Sequence, residues 1–174
     1  PGNLYHMSRF LLSENDIQTY QAEGALCLRE VLSTREVRAL QDAVEEELLS
    51  PGPYTKEFAQ PGEARFVGAI FVSSYNHTIR EVLINSELGE IAGKLMGACQ
   101  TRFFFDHLLV KEPGASKPTP WHQDAPYFAL EGLDCFGISI ALDTETPNTG
   151  AVEYLKGTNK DASMYATRTF SAGN

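Results

Sequence analysis

Two side chains that could share a metal ion, His122 and Asp124, lie two residues apart in the second half of the chain. In an extended segment, residues two apart point to the same face, so both could reach one ion. With a second histidine they would form the 2-His-1-carboxylate site of non-heme Fe(II) oxygenases, which leaves positions open for other ligands. The alternative is a loop histidine hydrogen-bonded to a nearby carboxylate. The triplet alone favours that alternative, because a chain with four histidines can contain this spacing by chance.

Short motifs on both sides of the triplet make it more specific. In chain order they are Lys111-Glu112-Pro113-Gly114, Trp121-His122-Gln123-Asp124, Ala141-Leu142-Asp143, Asn148-Thr149-Gly150 and Gly157-Thr158-Asn159-Lys160. Over about residues 100–160, their order and spacing resemble the phytanoyl-CoA dioxygenase family of Fe(II)- and 2-oxoglutarate-dependent oxygenases. Five ordered motifs are far more specific than one triplet, so they favour the metal site.

The resemblance implies an α+β protein with a mainly β core, a double-stranded β-helix (jelly roll, cupin-like) on which the N-terminal helices pack. It implies Fe(II), 2-oxoglutarate as co-substrate and O₂, with hydroxylation of a small organic or acyl-thioester substrate and release of succinate and CO₂. His122 and Asp124 would be the catalytic metal ligands, and His107 and Ser139 would bind the co-substrate. Asp124 keeps the carboxylate that related halogenases replace with a small residue, so hydroxylation is predicted.

Some of these assignments have alternatives. His107 alternates with Phe103 and Phe105 along a predicted strand, and it is equally consistent with a core histidine that bonds a neighbour. Ser139 stands where family members often have tryptophan. Three aromatic residues beside the metal motif either line a substrate pocket or simply pack: Trp121, Tyr127 and Phe128.

Two residues of the family pattern have no counterpart in the sequence: a distal histidine as third iron ligand, and an arginine for the far carboxylate of 2-oxoglutarate. No histidine follows His122, and Arg168 is the only late arginine. We expect a fragment of a longer protein, a missing C-terminal segment, or a shortened homologue without catalysis. The first two are favoured, because a β-helix without its last strands exposes an unpaired edge. If the chain is complete, weak iron binding and no 2-oxoglutarate turnover are predicted.

Local patterns predict helices first and strands after Gly97. Ser13 with Asp16 and Ser33 with Glu36 predict helix starts, and a further helix is predicted after Ser86. His77 is placed in a loop before that helix. Gly24, Pro51 and Gly97 mark helix ends. Strands are predicted within residues 25–31, 65–74, 101–111, 136–142 and 151–155, with a loop at 51–64 and a turn at 148–150.

Composition fits one globular domain. The chain has 174 residues, of which 43% are hydrophobic. Residues 1–6 are expected to be a tag remnant, and residues 7–174 a single dioxygenase domain that is C-terminally incomplete. The three cysteines are widely spaced, which indicates reduced thiols in a cytoplasmic protein rather than a disulfide framework.

Charge and hydropathy limit the partners. A net charge of −9 repels phosphate backbones, so no nucleic-acid partner is expected. No apolar run approaches the roughly 20 residues that span a bilayer, so no membrane partner is expected either. The predicted partner is a small-molecule substrate, and the protein is expected to be a monomer or weak homo-oligomer. Two other functions stay open: a catalytically silent β-helix domain that binds a ligand or partner, and a cupin-type metalloenzyme, which the absence of a His-x-His pair disfavours.

Overall fold

Four helices and one small antiparallel sheet make up the regular structure of the described residues. The computed structural model describes residues 10–115, 118–128, 135–161 and 163–165. Its helices are α1 (Glu14–Glu23), α2 (Thr34–Leu49), α3 (His77–Asn85) and α4 (Leu88–Met96). Its strands are β1 (Thr55–Glu57), β2 (Phe66–Ile70) and β3 (His107–Lys111). Short 3-10 turns cover Val72–Ser74, Ala125–Tyr127 and Thr158–Lys160.

The predicted helix starts at Ser13 and Ser33 are confirmed. In each capping box the serine hydroxyl accepts the N–H of the residue three positions on, and that residue's carboxylate accepts the serine N–H. The predicted ends are confirmed too, because Gly24 and Gly97 adopt the left-handed conformation that closes α1 and α4. The prediction for His77 is wrong: it is the first residue of α3, and the Asn76 side chain caps this helix by accepting the Ile79 N–H at 3.0 Å.

The sheet has the order β1-β2-β3. The register of β2 with β3 shows which residues share each of its two faces. Val67 lies opposite Val110, and Ala69 lies opposite Leu108. Ala69 belongs to the core that side chains of α2 and α3 complete, with Leu108 packed against it. His107 pairs with Ile70 on the other face, because alternate strand residues point to opposite sides.

Three predicted strands are not strands in the described residues: 25–31, 136–142 and 151–155. The apolar pattern of residues 136–142 instead reflects packing, since Ile140 and Leu142 lie against the helical core. The Gln41 side chain also donates a hydrogen bond to the Leu142 carbonyl, at 2.6 Å. Strand β3 likewise begins only at His107, not at residue 101.

The α+β class is confirmed for the described residues, but the finer prediction is not seen among them. Their core is shared by helices and one three-stranded sheet rather than being mainly β, and a two-sheet jelly roll is not formed within these ranges. The expected tag at residues 1–6 lies outside the described residues. Within the described ranges, no helix combines the length and hydropathy needed to cross a bilayer.

A buried carboxylate fixes the loop between α2 and β1. Glu47 is 3% exposed. One of its oxygens accepts the Gly52 N–H at 2.8 Å, the Tyr75 hydroxyl at 3.0 Å and the Thr55 hydroxyl. This network attaches the loop and β1 to helix α2.

Replacing Glu47 should therefore destabilise the protein. Glu47→Ala leaves three donors without their acceptor, and we expect the free energy of unfolding to fall by about 3 kcal/mol. The matched control is Glu46→Ala at the exposed neighbouring position, with an expected change below about 0.5 kcal/mol. Urea unfolding of both variants measures the difference, and equal values would contradict the role of the network.

Candidate metal and co-substrate site

The segment that carries His122 and Asp124 ends in a tight turn. The Asp124 carbonyl accepts the Tyr127 N–H at 2.9 Å, which starts the 3-10 turn Ala125–Tyr127. Pro126 lies at the start of this turn, where its fixed φ suits the geometry and no N–H is needed. The ring of Tyr127 then packs edge-on against the His122 imidazole, with centroids 5.6 Å apart.

His122 and Asp124 are close enough to bind one ion. The distance from His122 Nε2 to Asp124 Oδ1 is 3.2 Å. Two ligand atoms, each about 2.1 Å from a divalent metal, would be about 3.0 Å apart at right angles and about 3.4 Å apart at the tetrahedral angle. The Asp124 side chain is 70% exposed, so other ligands can approach from its open side. The pair therefore fits two adjacent positions of one metal ion.

The hydrogen bond of the other ring nitrogen sets the tautomer of His122. His122 Nδ1 lies 2.8 Å from the Pro120 carbonyl oxygen. A carbonyl can only accept, so Nδ1 carries the hydrogen, and in the neutral ring Nε2 keeps its lone pair. Nε2 and the Asp124 carboxylate would then be two acceptors in contact, which requires a cation between them. A metal ion and a proton both satisfy this requirement. The contact therefore agrees with a metal site and also with the alternative, a loop histidine hydrogen-bonded to a carboxylate.

A third ligand does not join this pair in the described part of the chain. No cluster of three or more His, Cys, Asp or Glu side chains suited to a metal ion occurs there. The donors that are present fit a divalent ion, but they make up two of the three ligands that the resemblance implies.

Gln123, between His122 and Asp124 in sequence, connects the candidate site to residues 163–165. Its side-chain nitrogen donates to the Ser163 carbonyl at 2.9 Å, and its side-chain oxygen accepts the Tyr165 N–H at 3.0 Å. The Gln123 side-chain amide thus makes with residues 163–165 the two hydrogen bonds that the backbone of a neighbouring strand would make. The Tyr165 hydroxyl also donates to the Asp161 carboxylate, at 3.2 Å.

His107 lies near Asp124, at the start of β3. Desolvation lowers the pKa of its imidazole, although the charges of Asp124 and Asp106 act in the opposite direction. A lowered pKa favours the neutral ring at physiological pH, and a neutral imidazole can donate one hydrogen bond to a carboxylate. The co-substrate role of His107 stays a prediction.

Ser139 lies in a segment that passes the metal pair. A Cβ atom added at Gly137 would lie 3.8 Å from Asp124 Oδ2, so this part of the chain passes close to the carboxylate. In an extended segment residues two apart share a side, so Ser139 is expected on the side of Gly137. Ser139 itself is exposed. Its role in binding the co-substrate also stays a prediction.

Tyr154 is a neighbour of the site that sequence reasoning missed. Burial raises the pKa of its phenol, and the negative charges of Asp124 and Glu145 raise it further. A neutral phenol near Asp124 can donate a hydrogen bond to a carboxylate. Its place within the predicted strand 151–155 could have drawn attention to it, but only the tertiary structure brings it near Asp124.

A comparison with protein families identifies the chain. The profile described as phytanoyl-CoA dioxygenase (PhyH) matches residues 20–173. The chain belongs to the phytanoyl-CoA dioxygenase family. This confirms the resemblance drawn from the ordered motifs, and members of the family are generally Fe(II)- and 2-oxoglutarate-dependent oxygenases with a cupin-like fold. Searches of curated proteins and of solved structures gave no match.

The Gln123 contacts lead to a prediction that needs no metal. Gln123→Ala removes the acceptor of the Tyr165 N–H, so we expect amide hydrogen exchange at Tyr165 to become about fivefold faster, the factor for about 1 kcal/mol. The matched control is Gln21→Ala on the exposed side of α1, which should leave this rate unchanged. Exchange followed by NMR measures both, and an unchanged rate in Gln123→Ala would refute the contact.

Proposed function

We propose that the protein is an Fe(II)- and 2-oxoglutarate-dependent dioxygenase. It hydroxylates a small organic or acyl-thioester substrate and releases succinate and CO₂. The observation that carries the proposal is the 3.2 Å pair of His122 Nε2 and Asp124 Oδ1, in a chain of this family. The hydrogen bond to the Pro120 carbonyl supports it, since it leaves Nε2 free to bind a metal.

The residues of the chain have distinct tasks in this reaction. Iron and 2-oxoglutarate, when bound, supply the oxidising chemistry with O₂. His122 and Asp124 hold the metal, and the Pro120 carbonyl keeps the His122 ring oriented. His107 and Ser139 contribute hydrogen bonds to the co-substrate. The Asp124 carboxylate fills the position that a halide would need, which favours hydroxylation over halogenation.

A second candidate function is a silent domain that binds a ligand or partner without catalysis. The observation in its favour is that the described residues bring together two ligand groups rather than three. The two candidates differ in one measurable property, the conversion of 2-oxoglutarate to succinate.

Succinate release from 2-oxoglutarate tests the proposal directly. We expect a form of the protein that includes the distal histidine and the arginine of the family pattern to produce succinate with Fe(II) and ascorbate. Asp124→Ala in that form should lower the rate at least about 100-fold, because loss of a residue that only orients a ligand already costs about 10–100-fold and Asp124 is itself a proposed ligand. Asp42→Ala on the exposed side of α2 is the matched control and should keep the wild-type rate.

Two results would contradict this expectation in different ways. Undiminished turnover by Asp124→Ala would remove Asp124 from the ligand set. No turnover by that form without the Asp124 substitution, with Co(II) still bound and Co(II) binding lost in Asp124→Ala, would favour the silent domain.

A further inference from the structure

The segment that carries the proposed metal ligands is joined to a distant part of the described chain by one side chain. Residues 121–124 belong to no strand of the described sheet, and between described residues no backbone hydrogen bond links them to another segment. The half-buried Gln123 side chain makes two such links, to the Ser163 carbonyl and from the Tyr165 N–H. The hydrogen bonds that position residues 121–124 therefore come from residues 163–165.

The turn Thr158–Lys160, which comes just before these residues, is packed against the end of helix α1. The Gly157 N–H donates to the Glu23 carbonyl at 2.7 Å. A Cβ atom added at Gly24 would lie 2.6 Å from the Cβ of Asn159, which is closer than side chains approach one another. Because only glycine leaves this space free, Asn159 can pack directly on the helix end. This packing fixes the turn relative to α1.

Asp161 connects this turn to the residues that Gln123 contacts. Its N–H donates to the Thr158 carbonyl at 3.0 Å. Its carboxylate accepts the Ser163 N–H at 2.9 Å and the Tyr165 hydroxyl at 3.2 Å, and these bonds lower the pKa of the Asp161 carboxyl. An ionised acceptor makes the stronger kind of hydrogen bond. A continuous series of contacts therefore leads from α1, through the turn and Asp161, to Gln123.

We propose that Gln123 is a positioning residue that couples metal binding at His122 and Asp124 to the attachment of residues 163–165. The inference rests on the proposed function and assigns the contact that holds its two proposed ligands in place. With this contact formed, His122 Nε2 and Asp124 Oδ1 are 3.2 Å apart, as two ligand atoms of one ion would be. Because coupling between two equilibria is reciprocal, the metal must favour the Gln123 contact by the same factor by which the contact favours the metal.

Titration of Zn(II) into the full chain tests one direction of this coupling. The histidine rings carry ¹⁵N, and the His122 signals, assigned with His122→Ala, report zinc at this site and not at other carboxylates. Gln123→Met keeps the side-chain length but lacks the amide, so we expect zinc binding to weaken about tenfold, the lower end of the effect of residues that orient ligands. Gln21→Met on the exposed side of α1 is the matched control and should keep the wild-type affinity. Equal affinity of wild type and Gln123→Met, or no zinc binding at His122, would overturn the proposal.

Amide hydrogen exchange tests the other direction, which a glutamine with only a structural role would not satisfy. Saturating zinc should slow exchange of the Tyr165 N–H about tenfold in the wild type and leave it unchanged in Gln123→Met. The Ser50 N–H, which is bonded to the Glu46 carbonyl at the end of α2, serves as the internal control and should not respond to zinc. Zinc that binds at His122 without slowing exchange at Tyr165 would contradict the coupling.

A double mutant tests whether Gln123 acts through its partner at residue 165. Tyr165→Pro removes the N–H that the Gln123 side chain accepts. Gln123→Met should therefore weaken zinc binding less in the Tyr165→Pro background than in the wild type. Comparing the two backgrounds removes any effect that the proline has by itself. The same fold-change in both backgrounds would show that Gln123 does not act through this contact.

Failure of this inference and failure of the proposed function give different results. Zinc affinity and Tyr165 exchange that both depend on Gln123 would support the coupling, even if the form with the distal histidine and arginine releases no succinate and the oxygenase is rejected. Succinate release by that form, with a zinc affinity that Gln123→Met leaves unchanged, would reject the coupling and keep the oxygenase.

Discussion

The antiparallel pairing of β2 with β3 is the interaction on which the rest of the described structure depends. Five consecutive residue pairs, from Phe66 with Lys111 to Ile70 with His107, fix its register. A shift of one residue would exchange the faces of the sheet and move His107 to the helical side. The hydrophobic contacts of Ala69 and Leu108 with α2 and α3 oppose such a shift, because it would expose them to water.

The end of this ladder organises the site. Just beyond the last pair, the Asp106 carbonyl still accepts the Phe71 N–H as a strand would, but the Asp106 carboxylate turns the chain into the 3-10 turn Val72–Ser74. One residue thus ends β2, places Phe71 and precedes His107. A helical core on one face of the sheet and a candidate site on the other are joined through these few hydrogen bonds.

His122 and Asp124, the proposed metal ligands, illustrate how surrounding hydrogen bonds orient the side chains of a candidate site. The Pro120 carbonyl selects the tautomer of His122. The side chain of Gln123, the residue between His122 and Asp124, is hydrogen-bonded to the backbone of Ser163 and Tyr165. Such contacts orient a ligand and keep its donor atom available before a metal arrives. They also explain why a single triplet in the sequence says little: a histidine and an aspartate two residues apart form a site only when their surroundings orient both.

The sequence by itself determined what depends on neighbouring residues and on ordered motifs. The capping boxes at Ser13 and Ser33 and the helix end at Gly97 were predictable, because their hydrogen bonds join residues within about one turn of each other. Family membership was predictable from the five motifs. Only the tertiary structure decided which apolar segments pair as strands, since residues 136–142 have the composition of a strand but pack on helices instead. It also decided the contacts of Asp106 with Val72 and of Gln123 with Tyr165, and it brought Tyr154 within range of the Asp124 charge. These join residues 30 or more positions apart, and their formation depends on the packing of whole elements rather than on local chain preferences.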